Sequence, residues 1–188
     1  MRTLIILAHP HLNASRVNQT LANAAAEIDN IEIRDLYKLY PDFRINVAAE
    51  QAALKKADRI VFQFPIYWYS SPALLKQWED AVLTHGWAYG RTGNQLQNKE
   101  FLLSVSVGGG QDHYTRVGLH GYRLAELLRP FQSMAGMVGM KYSRPFITFG
   151  ARTITDDALQ DQASHYVRLL RTVTPLPKFG LLEAESDS

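Results

Sequence analysis

Cysteine is absent from this 188-residue chain. That excludes disulfides, thiolate catalysis, iron–sulfur clusters and cysteine-bound zinc, and it fits a cytoplasmic protein. Long apolar runs are missing too. The first one, Leu4 to Ala8, is too short for a signal-peptide core. No stretch approaches the roughly 18–20 apolar residues of a membrane span. Excess charge of one sign is also small: 20 Lys and Arg against 18 Asp and Glu leave a formal net charge of +2. The cations are spread along the chain without a basic cluster interleaved with aromatics, so nucleic acid is not an expected partner. His11 and His113 lack further ligands at suitable spacing, and no metal site is expected.

What is present is an ordinary globular balance, 46% hydrophobic and 20% charged, at a length that suits one domain. The expected domain spans 1–175, with a C-terminal tail over 176–188 that is polar and frayed from Lys178 onward. Strand and helix signals alternate. Thr3 to Ala8 is continuously apolar, as a strand buried on both faces should be. Ser15 caps a helix whose Val17, Leu21, Ala25 and Ile28 share one face. Ile31 to Leu36 alternates as a second strand, Ala48 to Ala57 is helical, and Arg59 to Phe64 is a third strand. Ser71 caps the next helix with Pro72 in its first turn and Leu75, Trp78 and Val82 inward. Phe101 to Val107 is the fourth strand, Leu119 to Leu128 a helix interrupted by Pro130, and Arg144 to Phe149 the fifth strand. Thr155 starts a last helix, with Leu159, Ala163, Tyr166, Val167 and Leu170 on its inner face. Repeated βα units predict an α/β, flavodoxin-like fold: a five-stranded parallel sheet of order 2-1-3-4-5 with helices on both faces. Such a fold binds ligands outside the carboxyl ends of its strands.

That order brings the loops after strands 1, 3 and 4 together. The first, His9 to Asn18, ends at a helix N-terminus, where free backbone N–H groups suit a phosphate and Ser15, Arg16 and Asn18 add donors. The second, Pro65-Ile66-Tyr67-Trp68-Tyr69-Ser70-Ser71, carries three aromatics in a row that could wall a flat ring. The third is the run Gly108-Gly109-Gly110, where a flat or anionic ligand can approach the backbone and positive φ is free. Tyr114 and His120 follow it, a phenol and an imidazole able to move protons and steady developing charge. Taken singly each loop also reads as a plain turn, cap or packing contact; together they match a flavin's phosphate, edge and ring plane.

At these residues the chain resembles the flavodoxin-like NAD(P)H quinone oxidoreductases, also called DT-diaphorase-like. Within them it is most similar to the short bacterial ancillary proteins of the Kef glutathione-gated potassium efflux systems. The likeness runs from about Thr3 to Leu170 and includes Leu36-Tyr37-Lys38-Leu39-Tyr40-Pro41-Asp42-Phe43, Ala48-Ala49-Glu50-Gln51 and His85-Gly86-Trp87-Ala88-Tyr89-Gly90. The resemblance implies phosphate contacts at His9, Ser15, Arg16, Val17 and Asn18, and ring contacts at Pro65, Ile66, Tyr67, Trp68 and Tyr69. It implies further flavin contacts at Ser106, Val107, Gly108 and Gly109, with Tyr114 and His120 catalytic. Larger relatives have a C-terminal extension that helps hold the adenylate of FAD, and this chain ends before it. FMN is therefore the expected cofactor, with FAD the alternative. Ser106 and Val107 stand where larger relatives tend to carry threonines.

The implied reaction is NAD(P)H:quinone oxidoreduction, with NAD(P)H as co-substrate and the hydride passing through the flavin to a quinone or similar acceptor. The implied assembly is a homodimer whose interface holds the flavin sites, and the aromatic segments 67–69 and 87–89 suit an interface. Arg91, Arg116 and Arg123 are candidates for a nicotinamide 2′-phosphate. A one-electron flavodoxin carrier would have a Ser/Thr-rich first loop and an acidic surface; here stand His9-Pro10-His11 and a pI near 8.8. A phosphoacceptor receiver needs aspartates at the ends of strands 1 and 3, and His9 and Phe64-Pro65 occupy those ends. The remaining alternative is a regulatory subunit that docks on a Kef-type membrane potassium transporter, a role compatible with enzymatic activity.

Overall fold

The structure is a computed structural model and describes residues 1–179. Six strands form one parallel sheet: β1 (Thr3–Leu7), β2 (Ile31–Asp35), β3 (Arg59–Pro65), β4 (Glu100–Ser106), β5 (Lys141–Tyr142) and β6 (Phe146–Thr148). The order is β2-β1-β3-β4, with both β5 and β6 on the far side of β4. The predicted topology holds, but its fifth strand is one edge position broken in two. Its first half, Lys141–Tyr142, begins before the predicted Arg144, and Ser143-Arg144-Pro145 separate the halves. Pro145 explains the break, because it has no N–H for the ladder and is tolerated only at an edge.

Helices cover both faces. α1 (Arg16–Ala26) and α7 (Asp156–Arg171) pack on one; α2 (Leu36–Leu39), α3 (Val47–Lys56), α4 (Ala73–Val82), α5 (Leu124–Leu127) and α6 (Arg129–Met137) cover the other. Side chains alternate between the two layers: Leu4 and Ile6 face α3 and α4, Ile5 and Leu7 face α1 and α7. Four helix expectations change. No helix spans Leu119 to Leu128: Gly121, in the left-handed region at φ 69°, breaks it, and α5 begins only at Leu124. Pro130 interrupts nothing; it sits in the first turn of the separate α6, where a missing N–H is harmless. Ser71 does not cap α4, whose N-cap is Pro72 with no side-chain bond. Val167 is half-buried and outside the core that Tyr166 and Leu170 enter.

At the amino ends of the strands, register pairs Arg59 with Glu100. Arg59 is fully buried and donates to Glu100 Oε2 at 2.7 Å and to the carbonyls of Leu169, Leu170 and Thr172 at 3.3, 3.1 and 2.9 Å. It thereby caps the C-terminus of α7, whose last carbonyls lack intrahelical donors. Glu100 Oε1 accepts from the Leu176 N–H at 2.9 Å. Phe179 N–H bonds the Tyr142 carbonyl at 2.9 Å, and Lys178 bridges to Ser143. The fraying expected from Lys178 onward is therefore absent at Lys178 and Phe179, and the rest of that tail lies outside the described residues. Replacing Glu100 by Ala strands a buried guanidinium, and the expected loss is about 3–5 kcal/mol of stability. Equilibrium urea unfolding measures it; an unchanged midpoint would contradict this role for the pair.

Candidate functional site

β1, β3 and β4 end side by side, and their loops enclose a cavity of about 470 Å³. It is lined by residues expected from the sequence: His9, Ser15, Arg16, Val17, Asn18, Pro65, Ile66, Tyr67, Ser106, Val107 and Gly108. Ala14, Ala151 and Arg152 also line it and were not anticipated. Trp68, Tyr69 and Gly109 do not line it, and Tyr114 and His120 form a second group beside it.

The first loop is built around Ser15. Its Oγ accepts from the Asn18 N–H at 3.2 Å and from Asn18 Nδ2 at 3.3 Å, capping α1. A hydroxyl that accepts twice keeps its own proton to donate elsewhere. Asn18 is buried, and its Nδ2 also donates to Ser106 Oγ at 2.9 Å, tying this loop to the end of β4. The Asn18 amide is thus spent inside the protein, unlike the outward donor the sequence suggested. Arg16 is also engaged: it donates to the Ile154 carbonyl at 3.1 Å and pairs with Asp156 at 2.5 Å. His9 Nδ1 accepts from the His11 N–H at 3.0 Å. Burial, and then the neighbouring His11, hold its pKa below the ordinary value against a small opposing effect of Asp35. The neutral ring with its proton on Nε2 is the form this geometry selects.

In the second loop Tyr67 and Ser70 exchange backbone hydrogen bonds, both 2.9 Å, around Trp68 and Tyr69. Both central residues are left-handed, at φ 47° and 64°, the pairing of a tight type I′ reversal. For bulky side chains this costs on the order of 1–2 kcal/mol per residue. The turn sends the three aromatics apart. Tyr67 meets the cavity and the His9 ring, edge-on at 6.2 Å. Tyr69 brings its hydroxyl within 3.4 Å of His120 Nδ1. Trp68, 93% exposed, stands in water.

None of the three glycines after β4 has positive φ; their value lies in space. A Cβ on Gly108 would meet only Arg152 Nε, at 3.9 Å, so this backbone faces open room that a planar group can enter. A Cβ on Gly109 would stand 2.8 Å from His113 Nδ1 and 3.4 Å from the Tyr114 ring. Gly109 therefore makes room for its own loop and brings Tyr114 against the platform. The Tyr114 and His120 rings lie 4.5 Å apart at 41°. Burial, then the neighbouring Tyr69, push the Tyr114 phenol above its ordinary value, so it stays protonated and able to donate. His120 precedes α5 rather than starting a helix, and its N–H bonds the His113 carbonyl at 3.1 Å.

Beyond Tyr69 a second cavity, about 440 Å³, opens between α4 and α6 with Leu83, Phe131, Met134 and Val138 among its walls. Glu79 lines it. Burial pushes its carboxyl from 4.5 up to about 7; Lys76 opposes this and Asp80 adds to it.

These features define a flavodoxin-like α/β protein with a cavity, lined by His9, Arg16 and Arg152 among others, where strand order reverses. Residues 1–170 match the family model Flavodoxin_2, described as a flavodoxin-like fold, and the chain belongs to that family. The glutathione-regulated potassium-efflux system ancillary protein KefF of Salmonella newport (strain SL254) is 48% identical over 168 residues, which are 89% of this chain and 94% of that protein. A crystal structure of general stress protein 14 from Treponema denticola in complex with FMN superposes with a TM-score of 0.85 at 40% identity, covering 90% of this chain and 98% of that one. An NADPH-quinone reductase from P. pentosaceus superposes with a TM-score of 0.85 at 34% identity, covering 92% and 99%.

Glu79 yields a pH prediction. Its folded pKa lies above the unfolded value, so the unfolded chain gives up the proton first. Stability falls as pH rises from 4.5 to about 7. Glu79→Gln should flatten that decline and raise stability at pH 8 by about 1–2 kcal/mol, allowing for partial exposure. Thermal melts of both proteins across this range read it directly; parallel pH profiles would contradict the assignment.

Proposed function

We propose that this protein is a flavin-dependent NAD(P)H:quinone oxidoreductase that carries FMN. The observation that carries the reading is the three-loop cavity: hydroxyl and backbone donors at the start of α1, the open Gly108 backbone lining the same space, and a tyrosine–histidine pair beside it. The relatives support it, one bound to FMN and one a NADPH-quinone reductase.

The donor set fits a flavin phosphate. The Arg16 and Val17 N–H groups open α1, and the Ser15 hydroxyl has its proton free, so an anion there meets three donors and the positive end of the helix dipole. His9 offers Nε2–H without adding a full charge. Tyr67 and Ile66 would wall the ring beside the open Gly108 backbone. Bound there, the flavin supplies the hydride chemistry that links a nicotinamide to a quinone. Tyr114, kept protonated by its surroundings, would serve as a hydrogen-bond donor to a bound flavin. His120, between Tyr114 and Tyr69, exchanges a proton with the acceptor.

The working unit is a homodimer in the cytoplasm. Its interface includes Trp68, Val117, Leu119, Tyr122 and Met137, large apolar side chains left exposed on segments around the cavities. Kinship with KefF favours a further role as an ancillary subunit that docks on a potassium efflux transporter.

Purified protein should show flavin absorption bands that bleach when NADPH is added without oxygen. A colourless protein that takes up neither FMN nor FAD would defeat the proposal. Tyr114→Phe with His120→Gln should keep the flavin yet slow its reduction about 10²-fold in stopped-flow traces; unchanged rates would remove the proton-relay role. For the dimer, Trp68→Lys should shift the sedimentation coefficient from that of a dimer to that of a monomer, and a wild-type monomer would refute it.

A further inference from the structure

Three basic side chains line the main cavity, His9, Arg16 and Arg152, and no carboxylate does. Two of the three are committed. Arg16, the cation the phosphate loop itself provides, is held by Asp156 and the Ile154 carbonyl. His9 is biased toward its neutral form. Arg152 has no hydrogen bond or ion pair with any described residue, and its Nε stands 3.9 Å from the Cβ position of Gly108, where the cavity is otherwise open.

The loop that presents Arg152 is fixed. The Gly150 N–H bonds the Gly109 carbonyl and the Ala151 N–H bonds the Val107 carbonyl, both at 2.8 Å. Thr153 and Ile154 N–H groups both close on the Gly150 carbonyl at 2.8 Å. Gly150 takes φ 63°, which its lack of a side chain permits at that reversal. The same segment runs on to Ile154 and Asp156, the two partners of Arg16. The backbone that carries Arg152 is therefore fixed beside the glycine platform, and Arg152 lines the same cavity as Ser15, Arg16 and Val17 at the start of α1. A guanidinium offers a planar fork of donors matched to phosphate oxygens, and a charged hydrogen bond there adds to the neutral N–H and O–H donors already present.

We infer that Arg152 is the cation that receives the phosphate esterified on the flavin's ribityl chain, a binding residue supplied by the loop between β6 and α7 rather than by the phosphate loop. The inference rests on the flavin reading above. The phosphate is either the terminal dianion of FMN or the first phosphate of FAD's pyrophosphate, and the chemistry of recognition is shared.

The test titrates the full chain, stripped of flavin, with FMN, FAD and riboflavin, following flavin fluorescence, for wild type, Arg152→Ala and Arg152→Lys. Arg152→Ala should weaken FMN at least about tenfold, the size of one charge-assisted contact near the surface. It should leave riboflavin, which has no phosphate, unchanged, and Arg152→Lys should recover part of the loss. FMN binding to wild type should also weaken more steeply with salt than binding to the Ala variant. A parallel fall for FAD extends the contact to a pyrophosphate; FAD unmoved while FMN falls assigns it to the terminal dianion. FMN affinity unmoved, or FMN and riboflavin falling together, would overturn the inference. A wild type that binds no flavin would overturn the functional reading as well, so the two failures are told apart. Matching melting temperatures of the unliganded proteins confirm that the variants fold.

Discussion

Gln63 is the side chain on which the geometry of the site hangs. It is fully buried at the carboxyl end of a central strand, where an unpaired amide would be costly. Both of its ends are used: Nε2 donates to the Asn18 carbonyl at 2.8 Å, and Oε1 accepts from the Tyr166 hydroxyl at 3.2 Å. Burial pushes the Tyr166 phenol far above its ordinary value, so it remains a donor. One amide thus joins β3 to α1 and α7. The chain continues through Asn18 Nδ2 to Ser15 and Ser106. The rotation of α1 about its axis, and with it the direction of its first N–H groups, is set by this network. Apolar contacts alone would tolerate small rotations; a satisfied buried polar chain does not.

The same face of the sheet explains why the site lies at one end. Along β3 and β4 the residues facing α1 and α7 run Arg59-Val61-Gln63 and Glu100-Leu102-Ser104-Ser106. Both strands are ionic at the entry, aliphatic in the middle and polar at the exit. The opposite face carries Ile60, Phe62 and Phe64 with Phe101, Leu103 and Val105, apolar throughout. The ionic entry pins α7 and the chain beyond it, and the polar exit orients the phosphate loop. The aliphatic middle holds the layers together.

Much of this was legible in the sequence because it is local. Strand 1 is apolar from Leu4 to Leu7, Ser15 stands three residues before Asn18, and β and α signals alternate; each is decided by near neighbours. The misses depend on contacts far along the chain. Arg16 looked like an outward cation until Asp156, 140 residues away, was folded beside it. Arg152 carried no signal, since only the folded sheet brings the loop after β6 to Gly108. The glycine run was visible but ambiguous: glycine serves positive φ, ligand approach or room for a neighbouring side chain, and here Gly108 and Gly109 divide the second and third. Helix periodicity over 119–128 was real, but Gly118 and Gly121 outweigh it.

The two ends of the site differ in how they are held, and the difference suits what each must do. The end formed by the start of α1 is cross-bonded through the buried Asn18 and built on a helix of 11 residues. An anion bound there meets donors already in place, so little ordering entropy opposes binding. The tyrosine–histidine end rests on a strained two-residue turn and a loop stabilised by few backbone bonds. Trp68 and Tyr69 hold left-handed conformations that a glycine or asparagine would adopt at less cost. Aromatic side chains kept at strained, exposed positions are not there for the stability of the isolated chain. Two reciprocal 2.9 Å bonds fix the turn, but they would form equally well around Asn-Gly. The strain is offset by the rest of the fold, and what the turn achieves is to hold the Trp68 ring in solvent and the Tyr69 hydroxyl against His120.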